Sequence, residues 1–478
     1  MNNKEQIKEY IRDQITQADF RAQGYVFDAQ NKKRLNRNIF VTLRSYLEKF
    51  LQGNKAFRWI ALTGLRGAGK TTVMYQLYHA NKNIDAYFLI LSVDEIVETL
   101  GSSISEILIA FEEMIGKPLS NLDKPLLLFL DEVQYDKKWG ATLKALYDKS
   151  DKIFIFSTGS SAVLVNSNSD IVRRAIFEKM FPLSFTEFIK VKHQKIESRG
   201  LASDMRDVIF SLQSAKETFD KILLLQPRID KYYIDISRLE FENYLHYGSL
   251  PFMIALDNEA LVYDQINKSL ERVVNKDIPQ MRTMSQDIIS KIPAILYAIA
   301  DMDALNFTTL ARNFGISRPK VTEIFSALEQ AEVLHRIYPI GSHFKQVTQK
   351  PSKYLFSSPA FRSMYYKTIG NTITEQNARG KLLEDLAGMY LYRLFNKKPG
   401  FSLNYDAEKG GADFVVGVGN KRIAIEVGIN KIKYSQVIQT AKKVSAKYGI
   451  IISEKISELE YNKEANAVKI PLKYFLLT

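Results

Sequence analysis

Cysteine is absent from this chain of 478 residues, which excludes disulfides and thiolate-bound metal and agrees with an expected cytoplasmic location. Histidine is scarce: there are five, none at paired ligand spacing, so no structural zinc site is expected. No apolar run is long enough to span a bilayer, and Met1-Asn-Asn-Lys-Glu5 opens on no cleavable signal pattern. Linkers rich in proline or glycine are missing, and so are internal repeats.

What is present sets the scale. With 46% hydrophobic and 12% aromatic residues the chain can bury a sizeable core, and its length calls for two or three domains. Lysine and arginine outnumber the acids by 66 to 53, a net charge of +13. That excess suggests an acidic partner, DNA ahead of a membrane surface, and no membrane partner is carried forward. The charge is mostly lysine and widely spread, so solubility alone is the plainer reading.

The most informative segment is Gly64-Leu-Arg-Gly67-Ala68-Gly69-Lys70-Thr71-Thr72. Strand formers precede it (Phe57-Arg-Trp-Ile-Ala-Leu-Thr63), and the residues after it, to Tyr78, suit a helix. Strand, glycine loop and helix is the context in which backbone N–H groups close around phosphates at the positive end of a helix. Lys70 is placed for the β- and γ-phosphates of ATP and Thr71 for Mg²⁺.

A second segment, Pro125-Leu-Leu-Leu-Phe-Leu-Asp131-Glu132, is an apolar run ending in two acids. It reads as a buried parallel strand with carboxylates at its C-terminal end, the edge where open α/β sheets bind ligands. Asp131 is placed to hold Mg²⁺ and Glu132 to polarise an attacking water. A third run, Lys152 to Phe156, leads into Ser157-Thr158-Gly159-Ser160-Ser161. Thr158 is the first choice for a polar contact to the γ-phosphate or the water, Ser160 the second; the plainer reading is that these residues cap a turn.

Taken in order, these marks resemble the AAA-like P-loop ATPase family of the AAA_14 type, whose C-terminal part is a DUF4143-like domain of unknown function. Phe129-Leu-Asp-Glu-Val-Gln134, Trp139, Thr158-Gly-Ser-Ser161, Pro182-Leu-Ser-Phe-Thr-Glu-Phe188, Tyr244-Leu-His-Tyr-Gly-Ser-Leu-Pro251 and Lys276-Asp277-Ile278 carry the resemblance. It implies an ATP hydrolase. It also implies that Arg173 or Arg174 senses the γ-phosphate or serves as an arginine finger, although the glycine that usually precedes that arginine is absent. A basic surface turn is the plainer reading of the pair.

The expected fold class is α/β: a parallel P-loop sheet, then a helical lid and a winged helix, then a C-terminal α/β domain. The division expected is an N-terminal helical segment at 1–52, an ATPase core at 53–195, a helical lid and linker at 196–283, a winged helix at 284–345 and the C-terminal domain at 346–478. In the first segment Ile7, Tyr10, Ile11, Gln14 and Ile15 recur at helical spacing, and Lys32 to Arg37 is a basic link. Phe307 to Ser317 and Arg318 to Leu328 read as a helix-turn-helix, with Ser317 as N-cap and Pro319 in the first turn. Arg318, Lys320 and Thr322 are the residues that would face DNA; the alternative is a winged helix that packs and binds nothing.

In the C-terminal part, Glu384 lies on an apolar helix, Asp413 opens a strand, Gly419-Asn420 suits a tight turn and Glu426 lies on the returning strand. This order resembles the PD-(D/E)XK nuclease core, which implies Glu384, Asp413 and Glu426 around a metal. The lysine expected two residues after the last acid is Gly428 here. Lys431 or Lys433 is near enough in sequence to replace it, but the departure makes a vestigial, inactive site the expectation. Lys431, Lys433, Lys442, Lys443 and Lys447, with no acid between them, read as a solvated face or a DNA surface.

An ATP-driven molecular switch coupled to DNA is the leading functional expectation. A regulatory assembly protein with a protein partner and no nucleic acid stays open beside it, as does an ATP-gated nuclease.

Overall fold

The computed structural model describes residues 3–160, 169–211, 213–256, 258–302, 305–341, 351–369, 374–395, 399–431 and 433–478. The chain forms two compact units, Met1–Phe181 with Asn275–Thr283, and Pro182–Val274 with Met284–Thr478.

Five strands build the first unit: β1 (Trp59–Gly64), β2 (Tyr87–Ser92), β3 (Leu126–Asp131), β4 (Ile153–Gly159) and β5 (Ile176–Met180). Their order is β2-β3-β4-β1-β5, and each neighbouring pair is parallel. Parallel sheets are covered on both faces, so their strands are apolar without alternation. β1, β3 and β4 are buried at every residue. The register sets Leu62 of β1 beside Thr158 and Leu130 of β3 beside Ser157, so the C-terminal ends of β1, β3 and β4 lie side by side.

Helix Asn3–Val26 buries Ile7, Ile11, Gln14, Ala18, Ala22 and Val26 along one stripe, while Ile15 stays 45% exposed. That stripe packs on helices Lys70–Asn81 and Ile104–Ile115, so the N-terminal segment is a layer of the nucleotide unit rather than a region of its own.

The second unit holds an eight-stranded sheet: β6 (Leu334–Pro339), β7 (Lys353–Phe356), β8 (Phe401–Tyr405), β9 (Phe414–Val418), β10 (Lys421–Gly428), β11 (Tyr448–Ser453), β12 (Glu460–Asn462) and β13 (Ala467–Pro471). Its order is β12-β13-β11-β10-β9-β8-β6-β7. β8, β9 and β10 form an antiparallel meander, with Gly419-Asn420 as the tight turn between the last two, and β11 adds parallel to β10.

The expected boundaries shift in three places. The Pro182–Phe188 box starts the second unit instead of closing the ATPase core at 195. Ser184 caps helix Phe185–His193 with Glu187 in a reciprocal capping box, and Phe185 and Phe188 pack on Tyr244. Tyr390 accepts the Phe185 N–H at 2.6 Å, and Leu183 donates its N–H to Ser249 at 2.8 Å. The region 196–283 is split as well, since Asn275–Thr283 belongs with the first unit.

The third shift concerns the region expected as a winged helix. Helices Phe307–Asn313 and Arg318–Gln330 stand as expected, with Pro319 in the first turn, but Ser317 makes no side-chain cap bond. The hairpin β6–β7 that follows is the edge of the C-terminal sheet, because β8 pairs with β6 at Tyr338 and Pro339. An open strand edge takes a further strand wherever one is in reach, so 284–345 and 346–478 share one sheet.

A buried ion pair ties this unit together. Asp385 accepts from the Arg362 guanidinium and from the Phe356 N–H, while Arg362 also donates to the carbonyls of Ile299 and Ala300. Removing one partner leaves a buried charge without its counter-ion. Arg362→Leu is therefore expected to cost about 3–5 kcal/mol, read as a lowered chemical-denaturation midpoint.

Candidate functional site

The phosphate loop joins β1 to helix Lys70–Asn81. Gly67 and Gly69 take φ of +80° and +96°, a region side chains disfavour, and this opens the loop so that its N–H groups can converge. Lys70 is buried, and its ammonium donates to the carbonyls of Gly64 at 3.0 Å and Leu65 at 3.3 Å. Gly64, Ala68, Thr71 and Thr72 complete the loop and the first helical turn.

Two arginines brace the loop, and the sequence reading had singled out neither. Arg37 donates to the Ala68 carbonyl at 2.8 Å and to the Phe181 carbonyl at 2.9 Å. Arg66, inside the loop, pairs at 3.2 Å with Asp277, whose side chain is only 3% exposed. The charge of Glu132 also acts on Arg66. Lys276-Asp277-Ile278, noted in the sequence without a role, thus supplies the loop's counter-ion. The sole local signal for Arg37 was a basic run, which reads equally well as surface.

Asp131 sits at the end of β3. Thr71 donates to its Oδ2 at 2.7 Å, and Thr158 donates to its Oδ1. Thr158 also accepts the Glu132 N–H at 3.2 Å, so one hydroxyl orders both acids. Glu132 adopts φ +55°, a left-handed backbone that costs a non-glycine residue on the order of 1 kcal/mol and that clusters at functional positions. Its carboxylate accepts from the Gln134 amide. Ser160 Oγ and Gln134 Oε1 are buried with no hydrogen-bond partner among the described residues, and Ser161 lies outside them.

Burial, and then the charge of Glu132, push the Asp131 carboxyl up to about 6, against the pull of Thr158, Thr71 and Lys70. A desolvated carboxylate beside a threonine hydroxyl, with unpartnered polar atoms close by in sequence, is a donor set that fits a hard divalent cation and a phosphate chain.

Arg173 and Arg174 are each held by an acid of their own chain. Arg173 is 73% exposed and pairs with Asp170, while Arg174 holds Asp148 through Nε at 2.8 Å and its second nitrogen at 3.0 Å. No contact joins either to the phosphate loop among the described residues; Arg37 and Arg66 are the arginines found there. Arg318 and Thr322 are exposed, and Lys320 pairs with Glu323 one turn away.

The fold also gathers the three C-terminal acids. Glu384 lies on helix Glu375–Phe395, Asp413 precedes β9 and Glu426 lies on β10. Asp413 Oδ2 accepts the Val427 N–H at 3.0 Å, and the Asp413 N–H reaches Glu426 at 3.3 Å. Lys431 pairs with Glu426. A Cβ at Gly428 would meet Lys431 Cγ at 3.0 Å, so the missing side chain leaves the space that Lys431 crosses. Lys433 is exposed. Lys443 is no part of a free lysine face: it pairs with Asp406 at 2.6 Å and Glu408 at 2.7 Å. Lys353 of β7, a residue the sequence reading gave no role, pairs with Glu384 and lies 3.6 Å from Asp413.

Residues 56–189 match the AAA domain model AAA_14, and residues 238–367 match a domain of unknown function, DUF8612. The second match is not the DUF4143-like domain that the resemblance implied, and it stops short of Glu384. The uncharacterized protein MJ1637 of Methanocaldococcus jannaschii is 33% identical over 478 residues, covering 99% of this chain and 94% of that one. This chain is an AAA-type P-loop protein. It belongs to the family of MJ1637.

Two solved structures are also similar. One is the Aeropyrum pernix ORC1 protein in complex with DNA, with 10% identity, 70% of this chain, 94% of that chain and a TM-score of 0.31. The other is the Thermotoga maritima RuvB Holliday junction branch migration motor, with 14% identity, 71% of this chain, 96% of that chain and a TM-score of 0.30. Neither likeness is close enough to carry a function over. Among the described residues no helix is long and apolar enough to cross a membrane.

The raised Asp131 carboxyl has a stability consequence. The group titrates near 3.8 in an unfolded chain and about 6 in the fold, so between these values the folded state holds more protons. Nucleotide-free protein should therefore lose stability as pH rises from 3.8 to about 6, and change no further from this group above that. Asp131→Asn removes the burden. At neutral pH it is expected to stabilise the nucleotide-free protein by roughly 2–3 kcal/mol, measured as a raised denaturation midpoint against the wild type.

Proposed function

We propose that this chain binds ATP with Mg²⁺ at its phosphate loop, hydrolyses it, and uses turnover as a molecular switch coupled to DNA. The observation that carries the reading is Asp131 held between Thr71 and Thr158, with Glu132 next to it on the same hydroxyl. In this reading the N–H groups of Gly64, Gly67, Ala68, Gly69, Lys70, Thr71 and Thr72 cradle the phosphates. Lys70 leaves the Gly64 and Leu65 carbonyls for the β- and γ-phosphates, and Thr71 and Asp131 hold Mg²⁺. An ion held there would supply positive charge against that developing on the phosphates.

Glu132 accepts the proton of the attacking water, and its left-handed backbone aims the carboxylate beyond the end of β3. Thr158 keeps both acids in register, and Ser160 offers its unpartnered hydroxyl to the γ-phosphate or the water. Arg66, poised between Asp277 and Glu132, serves as the arginine within the site, which leaves Arg173 and Arg174 as candidates for action on a neighbouring copy. DNA coupling is supported by the net charge of +13 and by the exposed Arg318 and Thr322.

Two other readings stand beside this one. A switch that assembles with a protein partner would use the same nucleotide chemistry without nucleic acid. An ATP-gated nuclease is favoured by the helix–meander–helix–strand order around Glu384, Asp413 and Glu426, together with Lys431 crossing the space at Gly428. The pairing of Lys353 with that cluster speaks against cleavage.

ATP turnover with Mg²⁺, measured with and without duplex and single-stranded DNA, separates these readings. Lys70→Ala should abolish ATP binding. Glu132→Gln should keep binding and lower kcat by about 10²–10⁴-fold; full turnover in that variant would remove Glu132 from its role. A DNA-stimulated rate that vanishes in Glu132→Gln supports the coupled switch. Turnover indifferent to DNA moves the partner to a protein.

A further inference from the structure

The fold brings Glu384, Asp413 and Glu426 together, and each is already engaged by a lysine or a backbone N–H. Lys353 donates to Glu384 Oε1, lies 3.6 Å from Asp413 Oδ1 and donates to the Asp413 carbonyl at 3.3 Å. Asp413 Oδ2 accepts the Val427 N–H at 3.0 Å. Glu426 accepts Lys431 on one oxygen and the Asp413 N–H, at 3.3 Å, on the other. A hard cation needs several ionised oxygens turned toward one point. Here they are turned toward two ammonium groups and two backbone N–H groups, and no set of three acids able to hold a metal occurs among the described residues.

We infer that Lys353 is the built-in cation of this cluster, and that the cluster takes no divalent metal while the Lys353 side chain is present. Charge supports this: three carboxylates face two lysines, so most of their charge is already balanced. A metal entering between Glu384 and Asp413 would have to displace the half-buried Lys353 ammonium from both carboxylates.

Access is not the obstacle. A cleft of about 360 Å³ lined by Glu384, Asp413, Gly428 and Lys431 reaches one side of the cluster, and another of about 380 Å³ lined by Lys353, Lys381 and Tyr405 reaches the other. The inference rests on the nuclease-like reading only in taking these three acids as the set that a metal would need.

The test is Mn²⁺ binding to nucleotide-free, full-length protein, followed by calorimetry and by the Mn²⁺ electron paramagnetic resonance signal. The wild type and Asp413→Asn should give the same isotherm. Lys353→Met should gain a Mn²⁺ site that Lys353→Met with Asp413→Asn loses again. A wild-type site released by Asp413→Asn would overturn the inference, and that comparison stands even where Lys353→Met fails to fold. So would a Lys353→Met protein that keeps wild-type ATP affinity and thermal stability but gains no Mn²⁺. Duplex cleavage is read separately: a Lys353→Met protein that gains Mn²⁺ without cutting DNA upholds this inference and ends the nuclease reading.

Discussion

One buried carboxylate organises the nucleotide unit. Asp131 lies where an apolar, fully buried strand ends, and its side chain is buried there. Thr71 and Thr158 take its two oxygens, which ties the first turn after the phosphate loop to the ends of β3 and β4. Glu132 is drawn into the same network through its N–H, at the cost of a left-handed backbone. Burial and the neighbouring charge of Glu132 raise the Asp131 carboxyl.

The second unit meets the same difficulty differently. Asp385 is buried but fully engaged by Arg362 and the Phe356 N–H, and it joins the helix of Glu384 to β7. One residue earlier, Glu384 takes Lys353 from that strand. Adjacent acids on one helix are thus neutralised from two neighbouring elements. Charge here is balanced by cations, whereas at Asp131 the two carboxylate oxygens are held by neutral hydroxyls.

How much of this was legible depends on range. β1, the phosphate loop, its helix, β3 and β4 were readable because each is a local pattern: glycines at fixed offsets, and apolar runs that parallel burial demands. Gly419-Asn420 was readable for the same reason. The partners Arg37–Ala68 and Arg66–Asp277 were not, because a hydrogen bond or ion pair between distant segments leaves no mark on either one's neighbours. The strand pairing of β6 with β8 was equally hidden, since the hairpin reads as a wing until another edge meets it.

By itself, the sequence determined that this is a P-loop protein, with a glycine loop after one buried strand and two acids at the end of another, and that Gly428 breaks the lysine pattern of the C-terminal acids. Both follow from residue identity at short spacing. Only the tertiary structure decided that the box at Pro182 belongs with the second unit, that Asp277 returns to brace the phosphate loop, and that Lys353 and Lys431 close on the three acids. Those outcomes depend on which distant charges burial forces together, and no local spacing encodes that.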